Sequence, residues 1–161
     1  MTLAVTVVPV TAYQQNCTVV KCEATGRAAI VDPGGDVERI LAAVEKMDAT
    51  VEKVLLTHGH MDHCAASDDL RSQLQVPIEG PEQEDRFWIE RLPEWCQMAG
   101  FPHAEAFEPD RWLNDGDTVT IGEVTLNVLH CPGHTPGHVV FFYPEQQVAW
   151  RLQRHCGRDD V

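Results

Sequence analysis

Apolar and polar positions alternate from Leu3 to Val10 ("LAVTVVPV"), the period-two pattern of a strand with one buried face. A second such run, Cys17 to Cys22, follows a turn around Gln14 to Asn16. "AAIVDPGGD" is a short third strand that stops at Asp32, Pro33, Gly34 and Gly35, a strong turn signal. Asp36 stands where an N-cap is expected, ahead of a helix from Val37 to Met47 whose Ile40, Leu41 and Val44 form an apolar stripe. "VEKVLLT" is nearly continuous in apolar character, as is a strand buried inside a layered sheet. The pattern then predicts a helix from Asp62 to Gln75, a short strand from Val76 to Ile78, and one or two short helices between Pro81 and Phe107. Strands return at Asp117 to Ile121, Glu123 to Leu129, His138 to Tyr143 and Val148 to Trp150, parted by Gly and Pro turns. Interleaved helices and strands with several antiparallel connections give an α/β or α+β class, helices packed on a mixed sheet.

Length and charge narrow the partners. A chain of 161 residues fits one domain and can bury roughly two-thirds of its unfolded surface. A net charge of −13, from 25 acidic against 12 basic residues, repels phosphate backbones and anionic lipid, which argues against nucleic-acid or membrane binding through bulk charge. No apolar run approaches the roughly 18 residues of a membrane span. The start "MTLAVTVVPVTAYQQNC" lacks a basic leader and a small-residue cleavage site, so a cytoplasmic location is expected. Cys17, Cys22, Cys64, Cys96, Cys131 and Cys156 are scattered without a C-x-x-C pair, consistent with reduced thiols.

The candidate chemistry sits directly on the C-terminal end of the apolar strand. "H-G-H-M-D-H" places His58, His60, Asp62 and His63 in six positions. Imidazoles and a carboxylate are ligands that zinc prefers, with iron and manganese also compatible. On a loop leaving a strand, residues two apart point the same way, so His58 and His60 can hold one ion together. Asp62 and His63, where the chain turns into a helix, face a neighbouring position, enough to start a pair of metals about 3.5–4 Å apart. Gly59 is expected to let the backbone bend closely around the ions. Further ligands are sought in "LHCPGHTPGH". Its three histidines recur every fourth residue, but Pro132, Gly133, Pro136 and Gly137 rule out a helix. His134, at the tip between two Pro-Gly pairs, is the best third ligand; His130 and His138 read as strand-end or supporting residues. His103 reads as an ordinary loop histidine.

Other chemistries lack their motifs. There is no G-x-S-x-G elbow and no glycine-rich phosphate loop, and "DPGG" lacks the spacing of a dinucleotide fingerprint. Cys64 and Cys131 flank the ligand loops and read as small buried residues rather than thiolate ligands or nucleophiles.

"THGHMDH", the upstream "VDPGG" and the downstream "PGHTPGH" resemble the metallo-β-lactamase-fold hydrolases, and among them the short bacterial type II glyoxalases of the hydroxyacylglutathione hydrolase-like branch. "FPHAEAF", "DRWLNDGDTV" and "VLHCPGHTPGHVVFF" strengthen the likeness, which covers about residues 1 to 150. The resemblance implies an αββα sandwich with a two-metal site at one edge of the stacked sheets. It implies that His58, His60 and His134 hold the first metal, and that Asp62 and His63 hold part of the second, Asp62 also positioning water. Asp32 would be structural, bracing the ligand loop. The implied reaction is attack of a hydroxide between two zinc ions on the thioester carbonyl of S-D-lactoylglutathione, giving D-lactate and glutathione.

The chain also departs from that pattern. The family carries a metal-bridging aspartate in a "G-D" directly after the strand equivalent to Val148 to Trp150, and here Arg151 to Arg154 read "RLQR". A last metal histidine and the glutathione-binding helices would follow beyond Val161. Residues 151 to 161 therefore read as an atypical tail on a domain at 1 to 150, with the second half of the sandwich incomplete. An arginine at the bridging position would repel a second cation. Three readings follow: a zinc thioester hydrolase of the glyoxalase II type; a truncated, catalytically impaired fragment that binds one metal or fewer and self-associates through an uncovered sheet face; or a same-fold hydrolase of a β-lactam, lactone or phosphodiester.

Overall fold

The computed structural model describes residues 3–143 together with the backbone of Val148–Trp150. Two antiparallel strands, β1 (Leu3–Val10) and β2 (Gln15–Cys22), pair in register from Leu3 with Cys22 to Val10 with Gln15. β3 (Arg27–Val31) adds antiparallel to β2. The chain then crosses through helix α1 (Val37–Lys46) and returns as β4 (Thr50–Leu55), parallel to β3. After helices α2 (Met61–Cys64) and α3 (Ser67–Leu74), β5 (Ile78–Glu79) adds parallel to β4 and completes a five-stranded sheet. A 3-10 turn (Gln83–Asp85) and helices α4 (Arg86–Glu90) and α5 (Leu92–Ala99) follow. The second sheet is an antiparallel meander of β6 (Thr118–Ile121), β7 (Val124–His130), β8 (Val139–Tyr143) and β9 (Val148–Trp150).

Strand alternation divides the interior into two cores. Val19, Ala28, Ile30, Val54 and Leu56 face the helices, where they pack with Ile40, Leu70, Ile89 and Leu92. Their neighbours Val20, Ala29, Val31 and Leu55 face the other sheet and meet Val119, Ile121, Leu126, Val128, Val139 and Phe141. Where both faces of β3 and β4 are covered, at Ala28–Val31 and Val54–Leu55, their sequences are continuously apolar, the form parallel strands take inside layered folds, while Arg27, Thr50 and Glu52 mark their less buried starts. β6 and β7 alternate instead, with Thr118, Thr120, Thr125, Asn127 and Leu129 exposed on the outer face. Among the described residues the layers run helices, five-stranded sheet, four-stranded sheet, and every helix precedes β6.

Two local expectations change. Asp36 does occupy the N-cap position of α1, but not in the expected way: it adopts the left-handed conformation, makes no side-chain cap bond, and its carboxylate instead accepts the Thr11 N–H at 2.8 Å, tying the β1–β2 turn to the start of α1. The expected helix from Asp62 to Gln75 is two helices broken at Ala65 and Ala66. The Ala66 N–H donates to the Pro33 carbonyl at 3.0 Å, docking the break onto the "VDPGG" turn. A Cβ on Gly34 would lie 1.8 Å from the Asp62 carbonyl oxygen, so only glycine lets these two segments approach.

Phe141 is fully buried between the sheets. Phe141→Ala is expected to lower unfolding free energy by about 3–5 kcal/mol, the usual cost of an aromatic-sized void, read by urea titration.

Candidate metal centre

The carboxyl ends of β3 and β4 and the β7–β8 loop meet at one edge of the sandwich, the place where open sheets with parallel strands commonly carry their ligand sites. Backbone bonds close this edge. The Val139 N–H donates to the Thr57 carbonyl at 2.8 Å, and the Glu82 N–H donates to the Gly137 carbonyl at 3.1 Å.

His58, His60 and His134 bring one ring nitrogen each to within 4.8 Å of one another. Their ring centroids lie 5.1 Å apart for His58 and His60, 4.9 Å for His58 and His134, and 4.7 Å for His60 and His134. His63 packs on His58 at 4.1 Å from the other side, and its Nε2 lies 3.6 Å from the Asp62 carboxylate. The four positions singled out in "HGHMDH" and His134 thus share one small volume. His138, read as a supporting residue, is fully buried with its ring 4.8 Å from His58. His130 binds the Pro136 carbonyl at 2.8 Å, at the end of β7. His103 is exposed beside Glu105.

The buried Asp32 carboxylate organises this cluster. Its φ of 55° turns the chain at the end of β3, a left-handed conformation that aspartate tolerates better than most residues. Oδ1 accepts the Thr57 N–H at 2.8 Å, and Oδ2 accepts the Thr57 hydroxyl at 2.5 Å. The Thr57 oxygen, having given its only proton to a carboxylate, can only accept from His58 Nδ1 at 2.9 Å. The proton of His58 therefore rests on Nδ1, and a lone pair rests on Nε2, which is buried and bonded to no group among the described residues. Oδ2 also faces His63 Nδ1 at 3.3 Å, which favours the same tautomer there. An orphaned, buried imidazole lone pair with its ring braced by a carboxylate is the arrangement metal-binding histidines show.

The electrostatics favour neutral rings. Burial, and then the neighbouring imidazoles, push His58 well below its ordinary range. The same causes push His60 down from 6.5 to about 4. Near neutral pH both rings are therefore unprotonated ligands. Cys64 is fully buried; desolvation holds its thiol well above the ordinary range, and its Sγ donates to the Gly59 carbonyl at 3.4 Å. It is a packed thiol, as its sequence context indicated.

One organising residue escaped the sequence reading. Asp85 is fully buried at the end of the 3-10 turn. Its Oδ2 accepts the Gly59 N–H at 2.8 Å and the Thr135 hydroxyl at 2.7 Å, while Oδ1 accepts the Gly137 N–H at 2.7 Å. A single carboxylate thus clasps the loop of His58 and His60 to the loop of His134. Burial raises its pKa, and these bonds oppose the rise. The reason for glycine at 59 also differs from expectation. A Cβ there would meet the Trp88 Cβ at 3.1 Å and the Asp85 carbonyl at 3.2 Å, so the constraint is the close approach of α4.

Asp85→Asn leaves one oxygen for three donors and sets an amide against at least one of them. It is expected to cost about 1–3 kcal/mol of unfolding free energy, and to weaken retention of a divalent metal about tenfold or more, measured by chelator competition. In metal-free protein, the unfolded chain takes up the His60 proton more readily than the folded chain does. Stability held above pH 6.5 should therefore decline as pH falls toward 4. Melting temperature against pH should show this decline, and His60→Gln should reduce it without abolishing it, because His58 is pushed down as well.

Comparison with known proteins places this geometry. Residues 10–149 match the family model described as the metallo-beta-lactamase superfamily. The chain is 42% identical over 159 residues to the hydroxyacylglutathione hydrolase GloC of Haemophilus influenzae, covering 96% of this chain and 74% of that protein. It is 30% identical to the hydroxyacylglutathione hydrolase of Rhodospirillum rubrum, of which it spans 48%. Among solved structures it superposes on the BLEG-1 B3 metallo-beta-lactamase with a TM-score of 0.80 at 32% identity, covering 91% of this chain and 70% of that one. It superposes on TTHA1623 in a di-iron-bound form with a TM-score of 0.78 at 29% identity, covering 89% and 69%. The matched family model and the likeness to GloC agree with the histidine-lined edge: the chain belongs to the metallo-beta-lactamase superfamily.

Proposed function

We propose that this protein is a metal-dependent hydrolase of glutathione thioesters, with S-D-lactoylglutathione as the reference substrate and zinc as the metal. The observation that carries the reading is the convergence of His58, His60 and His134, with the His58 lone pair set by the Thr57–Asp32 relay. Three imidazoles suit a borderline divalent cation, and they leave a coordination position open for chemistry. Asp62 and His63, 3.6 Å apart, would hold part of a second ion. A bound cation would supply Lewis acidity and lower the pKa of water at the site. The protein's own contribution is to keep His58 and His60 unprotonated, hold the His58 tautomer and anchor both ligand loops through Asp32 and Asp85. The hydroxyacylglutathione hydrolases among its relatives support the thioester as substrate. Arg151 to Arg154, where the bridging aspartate is expected, and the tail to residue 161 lie outside the described residues. No helix among the described residues is long and apolar enough to cross a membrane.

A second reading, hydrolysis of a β-lactam, is favoured by the likeness to BLEG-1. A chromogenic cephalosporin and S-D-lactoylglutathione, offered to the same zinc-supplied protein, separate the two. Thioester turnover should exceed β-lactam turnover, disappear with a chelator and return with zinc. His58→Ala should abolish it and lower the metal content of gel-filtered protein. Two metal equivalents per chain would support the two-ion form. One equivalent with no thioester turnover would overturn the hydrolase reading and favour the single-metal, impaired form.

A further inference from the structure

Beside the histidines lies a cavity of about 380 Å³, lined by Tyr13, His60, Met61, Asp62, Trp88, Trp95, Met98 and Ala99. It shares His60 and Asp62 with the candidate metal centre. Trp88 stands edge-on to the His60 ring at 4.5 Å, and Trp95 packs on Trp88 at 4.9 Å. The indole N–H groups of both tryptophans are buried and meet no acceptor among the described residues. Both nitrogens are closed off from the cavity space, so what the two tryptophans present to it is apolar ring surface. Among the described residues no lysine or arginine lines the cavity; Arg91 lies on the Trp95 ring but is engaged by Glu94.

We propose that this cavity receives the acyl arm of the substrate, and that it selects acyl groups with an aromatic or extended apolar body over the lactoyl group. The proposal rests on the hydrolase reading for its substrate class and adds the specificity. Glutathione carries two carboxylates, and no lysine or arginine among the described residues lines the cavity to pair them, so its apolar lining suits the uncharged acyl side of a thioester rather than its thiol side. A lactoyl group has three carbons and leaves most of such a volume unfilled. Trp88 and Trp95 supply flat apolar area, and Met61 and Met98 supply adaptable side chains of the kind that accommodate varied apolar ligands.

Calorimetric titration of zinc-supplied protein with D-lactate and with D-3-phenyllactate, the acids released from the two kinds of thioester, tests this without turnover. Phenyllactate is expected to bind about tenfold more tightly or better. In Trp95→Ala the difference should shrink to about threefold or less, with zinc content and lactate affinity unchanged. Should that variant fold poorly, Met98→Ala, at a side chain 75% exposed on the cavity rim, is expected to narrow the difference measurably without disturbing the core. Equal affinities, no binding of phenyllactate, or a difference untouched by these substitutions would overturn the acyl pocket, even with lactoylglutathione turnover intact. Tight phenyllactate binding sensitive to Trp95, in protein that hydrolyses no thioester, would support the pocket and sink the hydrolase reading instead.

Discussion

The site depends on a carboxylate that water does not reach. Asp32 is fully buried, and a buried charge is tolerable only where hydrogen bonds replace its hydration. Here the Thr57 N–H, the Thr57 hydroxyl and the His63 ring meet that need, and each of them belongs to the ligand loop. The requirement of one anion for partners therefore determines where the loop sits, how the threonine hydroxyl is oriented and which nitrogen of His58 carries the proton. Loosening any one of these would leave a buried polar group unmet, so the arrangement is held as a unit.

Asp85 solves a different problem with the same means. The two ligand-bearing loops come from separate sheets, and sheet packing alone is non-directional. Three directed bonds from one carboxylate convert that loose juxtaposition into a specific distance between the loop of His58 and His60 and that of His134. The close contacts forced by glycine serve the same end. A Cβ at Gly137 would lie 2.6 Å from the Asp85 backbone nitrogen, just as Gly34 admits the Asp62 carbonyl. Two carboxylates beneath the imidazoles and a tryptophan wall beside them leave a site that is anionic at its base and apolar at its flank.

The strand pattern, the α1 stripe and the apolar β4 are visible in the chain because burial on one face or two leaves a period that local reading can detect. The candidate ligands in "HGHMDH" are visible for a related reason. Metal ligands on one tight loop must be close in sequence, so their density exceeds that of an ordinary surface. His134 could be chosen from three histidines because the Pro-Gly pairs exclude a helix. Asp36 misled because its residue type suits an N-cap, while its actual partner, the Thr11 N–H, lies across a turn.

Asp85 and the tryptophan-lined cavity have no such signature. In "EQEDRFW" the aspartate is one acidic residue among several, indistinguishable by sequence from its exposed neighbours Gln83 and Glu84. Its burial arises only when the β7–β8 loop descends onto it, more than forty residues later in the chain. Trp88 and Trp95 likewise read as ordinary helix residues until α4 and α5 bring them against His60. The sequence by itself determined the class of fold, the order of its strands and helices and the histidine-rich loop, because these follow from local period and composition. Only the tertiary structure decided the tautomer of His58, the clasp at Asp85 and the cavity beside the histidines, because each depends on distances between segments that the chain keeps far apart.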